Sequence, residues 1–591
     1  MSILHMSNDK RVLTINFLQA MLDDGLISSD TFDKLRVKLR SLAADKHPIE
    51  GVAPFKLKHH SDNKTLLDDE FLAQWYAPKC GMEYVELDPL KLDVDAITAV
   101  MSKAFAQRHN IIAYAVDANK VVVATAEPEV TAWVSGLEHI LRKEVRRVFA
   151  SPVAIRRFQQ EFYALSHSIK GAASEKYQDL GTGNLEALVE LGKAGDVDAN
   201  DQHIVQIVDW LLQYAYSQRA SDIHVEPRRE KGNVRFRIDG VLHKVYEFPA
   251  GITNAVLARF KIMGRMDVAE RRKPQDGRIK TKATDGQEVE LRVSTLPTAF
   301  GEKLVARIFD PGVLKRDFSS LGLDANVEKK WLSMVGQPNG IVLVTGPTGS
   351  GKTTTLYTTL KLLARPEVNV CTVEDPIEMI DPKLNQMQVH HDIDVDFASG
   401  IRALLRQDPD IIMIGEIRDK ETADMAVQAS LTGHLVISTL HTNDASSAIT
   451  RLIDLGVEPF LVNATLLGVM AQRLVRTLCP DCKQPQAVDS KAWQTLIAPF
   501  PLSEPKQVYT PVGCRMCRGT GYLGRQGIYE LLNVNSNVKK LIHSKCDVGP
   551  IREQGLKDGM NLLRISGAMK VAQGFTTIEE VLRVASPEME S

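Results

Sequence analysis

Eight consecutive residues, Gly346-Pro347-Thr348-Gly349-Ser350-Gly351-Lys352-Thr353, have the GxxxxGK[ST] spacing of a phosphate-binding loop. Its glycines let backbone N–H groups converge on phosphate oxygens, and the helix that follows adds positive potential at its N-terminus. Lys352 would bridge the β- and γ-phosphates of a nucleoside triphosphate, and Thr353 would hold Mg²⁺. With Thr354, these residues form the expected nucleotide-binding set. Three more groups end apolar runs: Glu374 after Val370–Val373, Glu416 just past Ile411–Ile414, and His441 after Leu435–Leu440. Open α/β sheets bind ligands beyond the carboxyl ends of their strands. There Glu416 could orient or deprotonate an attacking water, or reach Mg²⁺ through water, and Glu374 could do either. His441 could sense the γ-phosphate. A lone strand-end glutamate is ordinarily solvated or caps a helix, but four such strand ends in one sheet favour phosphoryl chemistry. For His434 a structural hydrogen bond is as good a reading as a catalytic role.

A second constellation is Cys479-Pro480-Asp481-Cys482 with Cys514-Arg515-Met516-Cys517. Two CxxC knuckles closing on one ion give tetrahedral S₄ coordination, which suits Zn²⁺ and leaves no open ligand position, so a structural site is expected. A redox pair would need only one CxxC, and no basic helix follows that would make a DNA-binding finger. Cys80, Cys371 and Cys546 read as buried thiols.

These groups need elements to position them. Ile341–Val344 reads as a buried parallel strand and Thr353–Leu363 as the helix after the loop. Residues 326–478 alternate strands and helices, as a parallel α/β sheet does. The stretch Phe460–Val475, interrupted by Asn463, Gln472 and Arg473, reads as a core helix. Residues 1–165 form an α+β module with a helical pair in Leu13–Leu42 broken at Gly25 and strands at Ile111–Val116 and Val121–Thr125. Residues 166–202 are polar and read as a linker, with a possible helix at Leu185–Leu191. Residues 203–325 form a second α+β module, led by a helix over Ile204–Ser217 and containing a hairpin at Asp239-Gly240. Residues 479–528 hold the cysteines, and 529–591 read as helical.

The chain has 591 residues, 44% apolar and 25% charged, with a formal net charge of −2. Several domains are expected, and no global basic field marks a nucleic-acid binder. The first residues lack the pattern of a signal peptide, and no apolar run reaches the length of a membrane span. A cytoplasmic protein is expected, with any membrane role exercised through partners.

The chain resembles the secretion ATPase family that contains the type IV pilus assembly and type II secretion ATPases. The resemblance rests on Arg219–Pro227, Arg235–Gly240, Arg271–Arg278, Leu291–Thr295 and Gly301–Lys303, followed by the phosphate loop. It continues through an aspartate box at Thr372–Glu378, a Walker B segment ending Gly415-Glu416-Ile417-Arg418-Asp419, and a histidine box at Thr432–Ala445. It implies a homohexameric ring of two-lobed subunits, with ATP between a RecA-like lobe and a preceding PAS-like lobe. It implies that Arg292 and Arg307 reach the nucleotide from the middle lobe, and that Arg402 and Arg406 act across a subunit boundary. Gly415 stands where many P-loop enzymes carry a Mg²⁺-holding Asp, which leaves more to Glu416 and Thr353.

Pilus retraction ATPases generally lack the cysteine site, so it tilts the resemblance toward filament extension or secretion. The implied role is a motor acting on an inner-membrane platform protein to assemble type IV pili. A type II secretion ATPase driving a pseudopilus is the first alternative, and a hexameric nucleic-acid motor a more distant one. A ring that binds ATP without hydrolysing it is disfavoured by the intact Lys352, Glu374, Glu416 and arginine candidates. Met21–Ser28 resembles the start of these ATPases' N-terminal domain. Some relatives bind cyclic diguanylate there through Arg-Leu-Gly, but Asn16-Phe17-Leu18 stand in its place, so dinucleotide binding is not expected. Docking to a membrane-bound anchor partner is expected instead.

Overall fold

The structure, a computed structural model, describes residues 11–41, 46–61, 65–88, 92–174, 199–282, 286, 288–309, 317–514 and 516–585. The candidate helix at Leu185–Leu191 and Arg515 lie outside the described residues. The chain divides into two compact units, Met1–Ile308 and Phe309–Ser591.

In the first unit, the predicted helical pair forms as Thr14–Asp23 and Ser29–Lys38. Gly25 lies between them at φ 71°, a conformation that favours glycine. Strands β1 (Ile111–Val116), β2 (Lys120–Thr125) and β3 (Glu144–Phe149) make a small sheet, with β1 antiparallel and β3 parallel to β2. The helix Pro152–Ser174 runs on into the stretch read as linker. After the helix Gln202–Ser217 come β4 (Asp222–Glu226), β5 (Lys231–Ile238), β6 (Val241–Pro249), β7 (Gln275–Lys282), β8 (Glu288–Thr298) and β9 (Gly301–Phe309). They form one sheet in the order β6-β5-β4-β9-β8-β7. One apolar cluster runs from Phe17 through Phe162 to Ile204 and Ala306, so the two α+β modules share a core.

The second unit is built on a seven-stranded sheet. Its strands are β10 (Gly340–Thr345), β11 (Val370–Glu374), β12 (Asn385–Gln388), β13 (Ile411–Ile414), β14 (Leu435–Leu440) and β15 (Leu466–Leu478). Short strands β16 (Gln484–Gln486) and β17 (Val508–Thr510) pair with each other, and β18 (Tyr522–Asn533) returns to the large sheet. The order is β12-β11-β13-β14-β10-β15-β18. The first six strands run parallel, and β18 is antiparallel to β15. Successive β10 residues enter opposite cores, Ile341 and Leu343 on one face, Val342 and Val344 on the other. A parallel sheet covered on both faces requires such continuous apolar strands.

Two sequence expectations fail here. Phe460–Val475 is not one helix: the helix Pro459–Thr465 gives way to β15. A Cβ on Gly468 would stand 2.5 Å from the Met334 sulfur and 2.9 Å from the Leu532 carbonyl. The strand is thus fitted between β10 and β18, and pairing on both edges outweighs the helical apolar spacing. Residues 529–533, read as helical, belong to β18, which pairs along β15 at the edge of the sheet, and helices follow at Ser536–Lys539, Val548–Lys557, Leu563–Ala572 and Ile578–Val584.

Inside the first unit, Lys261 (1% exposed) is bound to Glu302 (7%) by hydrogen bonds of 2.8 and 3.0 Å. Removing one partner strands a buried charge. Lys261→Met is expected to cost about 3–5 kcal/mol, while the double variant Lys261→Met/Glu302→Leu recovers most of it. Thermal melting of the three proteins checks this; equal losses in the single and double variants would contradict it.

Candidate functional site

The phosphate loop joins β10 to the helix Lys352–Leu363, the context its motif requires. Gly346 and Gly351 sit at φ 147° and 90°. Pro347, Thr348 and Gly349 form an exposed crest, Ser350 is buried, and Lys352, Thr353 and Thr354 are half-buried in the first helical turn. Lys352 Nζ donates to the Gly346 carbonyl (2.8 Å) and the Pro347 carbonyl (3.2 Å), folded back over the loop that a phosphate would fill. Burial holds its pKa at about 8, with Glu416 opposing and Arg473 reinforcing the shift.

Glu416 follows β13. One carboxylate oxygen pairs with Arg418 at 2.5 Å, and the other lies 3.4 Å from His441 Nε2. That second oxygen is buried and has no hydrogen-bond partner. Burial and the Lys352 charge hold His441 below the usual histidine range, against the pull of Glu416. The structure therefore brings Lys352, Glu416 and His441 together, with an acceptor left open among them.

Glu374, at the end of β11, is held by protein donors. It is 2% exposed, and its carboxylate accepts from the Tyr357 hydroxyl (2.7 Å), the Thr372 hydroxyl (2.7 Å) and the Gln386 amide (3.2 Å). Both oxygens are engaged by protein donors, and through Tyr357 Glu374 ties the end of β11 to the phosphate-loop helix. His434 Nδ1 bonds the Ala429 carbonyl at 2.8 Å, the structural alternative.

Arg402 pairs with Glu421, and its Nε donates to the Ala398 carbonyl (3.3 Å), while Arg406 is exposed. Arg292 and Arg307 belong to the first unit. There Arg292 is half-buried opposite Arg278, and Arg307 Nε donates to Asp222 at 3.1 Å.

Sequence reading passed over Gln472 and Arg473. They lie beneath the phosphate loop on β15, in the stretch misread as helix, which hid their register. The signal was their presence: two polar residues, one charged, in an otherwise apolar run.

The four predicted cysteines converge, with every Sγ within 4.8 Å of the others. Cys479–Cys514, Cys482–Cys517 and Cys514–Cys517 stand at 3.6, 3.7 and 3.8 Å. Zinc–sulfur bonds of about 2.3 Å give tetrahedron edges of about 3.8 Å. Backbone N–H groups of Cys514 and Gly521 point at Cys517 Sγ, both at 3.1 Å, and that of Gly513 at Cys482 Sγ (3.3 Å). Such donors favour thiolates, so the donor set fits a tetrahedral thiophilic ion.

A glycine loop between a parallel strand and a helix, a half-buried lysine in it, and a glutamate beyond a neighbouring strand define a P-loop ATPase of α/β fold. The chain matches the type II/IV secretion system protein family over residues 197–583 and belongs to it. The MshEN domain family matches residues 80–169, downstream of the Met21–Ser28 segment. The chain is 52% identical over 571 residues to the type IV pilus assembly ATPase TfpB of Acinetobacter baylyi, covering 96% of this chain and 97% of that one. It is 41% identical over 526 residues to the type IV pilus assembly ATPase PilB of Myxococcus xanthus, covering 88% and 92%. It is 47% identical over 385 residues to the type II secretion system ATPase E of Vibrio cholerae, covering 65% and 76%. Among the described residues, no helix is long and apolar enough to cross a membrane.

The depressed Lys352 sets a pH dependence for nucleotide binding. Its ammonium is the form that attracts phosphate, and it loses its proton as pH rises through about 8. Affinity for ATP is therefore expected to be full at pH 7 and to fall severalfold by pH 9, whereas Lys352→Ala binds weakly with a flat profile. Titration with a fluorescent ATP analogue across that range checks it.

Proposed function

We propose that this protein is the motor of type IV pilus assembly, hydrolysing ATP to drive filament extension through an inner-membrane platform protein. The observation that carries this reading is the extent of similarity. The match to a pilus assembly ATPase spans 96% of the chain, front module included, whereas the match to the Vibrio secretion ATPase spans 65%. The type II secretion version remains the second reading, favoured by the 47% identity over the shared region. The working form is a cytoplasmic homohexamer, peripheral to the inner membrane through its partners. The 203–325 region is its PAS-like lobe, residues 326–478 its RecA-like domain, and the front module the dock for an anchor partner.

In the mechanism, Gly346–Thr354 seat the triphosphate. Lys352 swings from the Gly346 and Pro347 carbonyls to the β- and γ-phosphates, exchanging two weak acceptors for two anionic ones. The attacking water gives its proton to the open oxygen of Glu416 as its own oxygen bonds to the γ-phosphorus and the β–γ bridging oxygen leaves. Glu416 and Thr353 are the residues that would hold Mg²⁺, which when bound neutralises charge on the β- and γ-oxygens. His441 stays largely neutral near pH 7 and can hydrogen-bond the γ-phosphate without adding charge. Arg292, Arg307, Arg402 and Arg406 supply the charge that stabilises the transferring phosphoryl group. Glu374 acts through Tyr357 on the loop helix. Cys479, Cys482, Cys514 and Cys517 hold a structural Zn²⁺.

Two measurements check this reading. Lys352→Ala at the native locus is expected to abolish surface pili while leaving secreted enzymes in the medium; normal pili with exoproteins trapped in the periplasm would move the protein to type II secretion. The purified chain is expected to carry one zinc per subunit by metal analysis, and Cys514→Ser to lose it together with several degrees of Tm. A metal-free wild type with the same Tm would remove the zinc assignment.

A further inference from the structure

Strand β15 places two buried polar side chains where the reaction itself needs none. Gln472 is 2% exposed and Arg473 9%. The Gln472 amide oxygen accepts the Thr355 hydroxyl at 2.8 Å, which ties it to the phosphate-loop helix. A Cβ on Gly346 would stand 2.6 Å from the Gln472 carbonyl, and one on Gly351 would stand 2.7 Å from the Gln472 amide nitrogen. The loop's first and last glycines thus rest directly on this residue.

Arg473 reaches the other way. One guanidinium nitrogen donates to the Gln472 carbonyl at 3.0 Å and the other to the Asn443 carbonyl at 2.7 Å. Asn443 is two residues beyond His441. The same gap is closed at its edge by Thr345, whose hydroxyl accepts the Thr442 N–H at 2.8 Å. From below, Glu530 on β18 accepts the Ala445 N–H at 2.9 Å and the Leu563 N–H at 3.2 Å. Asp444 supplies negative charge toward the buried guanidinium, and Glu530 does so in its ionised form, burial pushing its pKa up to about 7. A planar fork with separated donors can span two carbonyls at once, where an ammonium offers a single point of charge.

We propose that Arg473, seated on Gln472, is the positioning residue that holds the histidine-box loop in register with the phosphate loop, so that His441 and Glu416 meet the γ-phosphate that Lys352 binds. This rests on reading the site as one that hydrolyses ATP. Arg473 acts through the two loops, fixing the distance between them. Misplacing one of them by a fraction of an ångström would slow the chemical step and spare binding by the glycine loop.

The test uses the full-length chain and reads kcat for ATP hydrolysis beside Kd for a fluorescent ATP analogue. Arg473→Ala is expected to lower kcat roughly 10–100-fold with Kd within about threefold of wild type. Arg473→Lys, which keeps the charge and one donor, is expected to recover a substantial part of kcat. Because the two residues act as a unit, Arg473→Ala/His441→Ala is expected to be no more than about twofold slower than the slower single variant. Unchanged kcat in Arg473→Ala, parallel losses in kcat and affinity, or fully additive single losses would each overturn the proposal. If Arg473→Ala lacks a cooperative melt, Arg473→Lys and Thr355→Val decide by the same split. A wild-type chain that binds ATP without hydrolysing it would remove the underlying reading. That result is distinct from a hydrolysing wild type whose Arg473 variants are indifferent.

Discussion

The phosphate loop rests on β15, and much of the second unit follows from that contact. Gly346 approaches the Gln472 carbonyl so closely that any side chain would collide with it. A backbone brought this near to buried polar groups must satisfy them, because an unpaired buried donor or acceptor costs as much as a lost hydrogen bond. Thr355, Arg473 and the Asn443 carbonyl meet that demand. The bonds that solve a packing problem also join the two loops facing the nucleotide space.

Around that space, satisfied and unsatisfied groups are divided. Glu374 is buried with both oxygens engaged, and Tyr357 serves it from the loop helix. Glu416 is left with one open oxygen, Ser350 with an unpartnered hydroxyl, and Lys352 with only two carbonyls for company. A low-dielectric setting raises the cost of such open groups and equally the gain when an anion or a water arrives. The groups left wanting are those that the proposed mechanism brings to a phosphate, where stability would be surrendered locally for chemistry.

The cysteine module is joined to the rest by backbone pairing as well as by its thiols. The Leu478 N–H donates to the Phe575 carbonyl at 2.7 Å, and Lys483 Nζ reaches the Gly574 carbonyl at 2.7 Å. Arg476 is held by Glu580 of the last described helix at 2.5 Å. The knuckles thus fasten the end of β15 to the C-terminal helices. An ion between them would stiffen the strand on which the phosphate loop lies, so its effect would extend beyond its own small sheet.

The sequence by itself determined the local pieces whose signals are short and chemical: the phosphate loop, the strand and helix around it, the paired cysteines, and the strand ends carrying Glu416 and His441. In each, the residue types that do the chemistry also set the backbone, so spacing alone locates them. Tertiary structure decided the rest. The apolar stretch Phe460–Val475 reads as a helix, yet from Leu466 on it is a strand because β10 and β18 offer hydrogen bonds on its two edges, and no local window contains those partners. Glu374 and Glu416 look alike in sequence, each a carboxylate at a strand end. Only the packing of Tyr357, Thr372 and Gln386 closes one and leaves the other open. Gln472 and Arg473 stand out in sequence only as polar interruptions of an apolar run: what a buried polar residue does depends on which groups long-range pairing brings within about 3 Å of it, and that is a property of the fold.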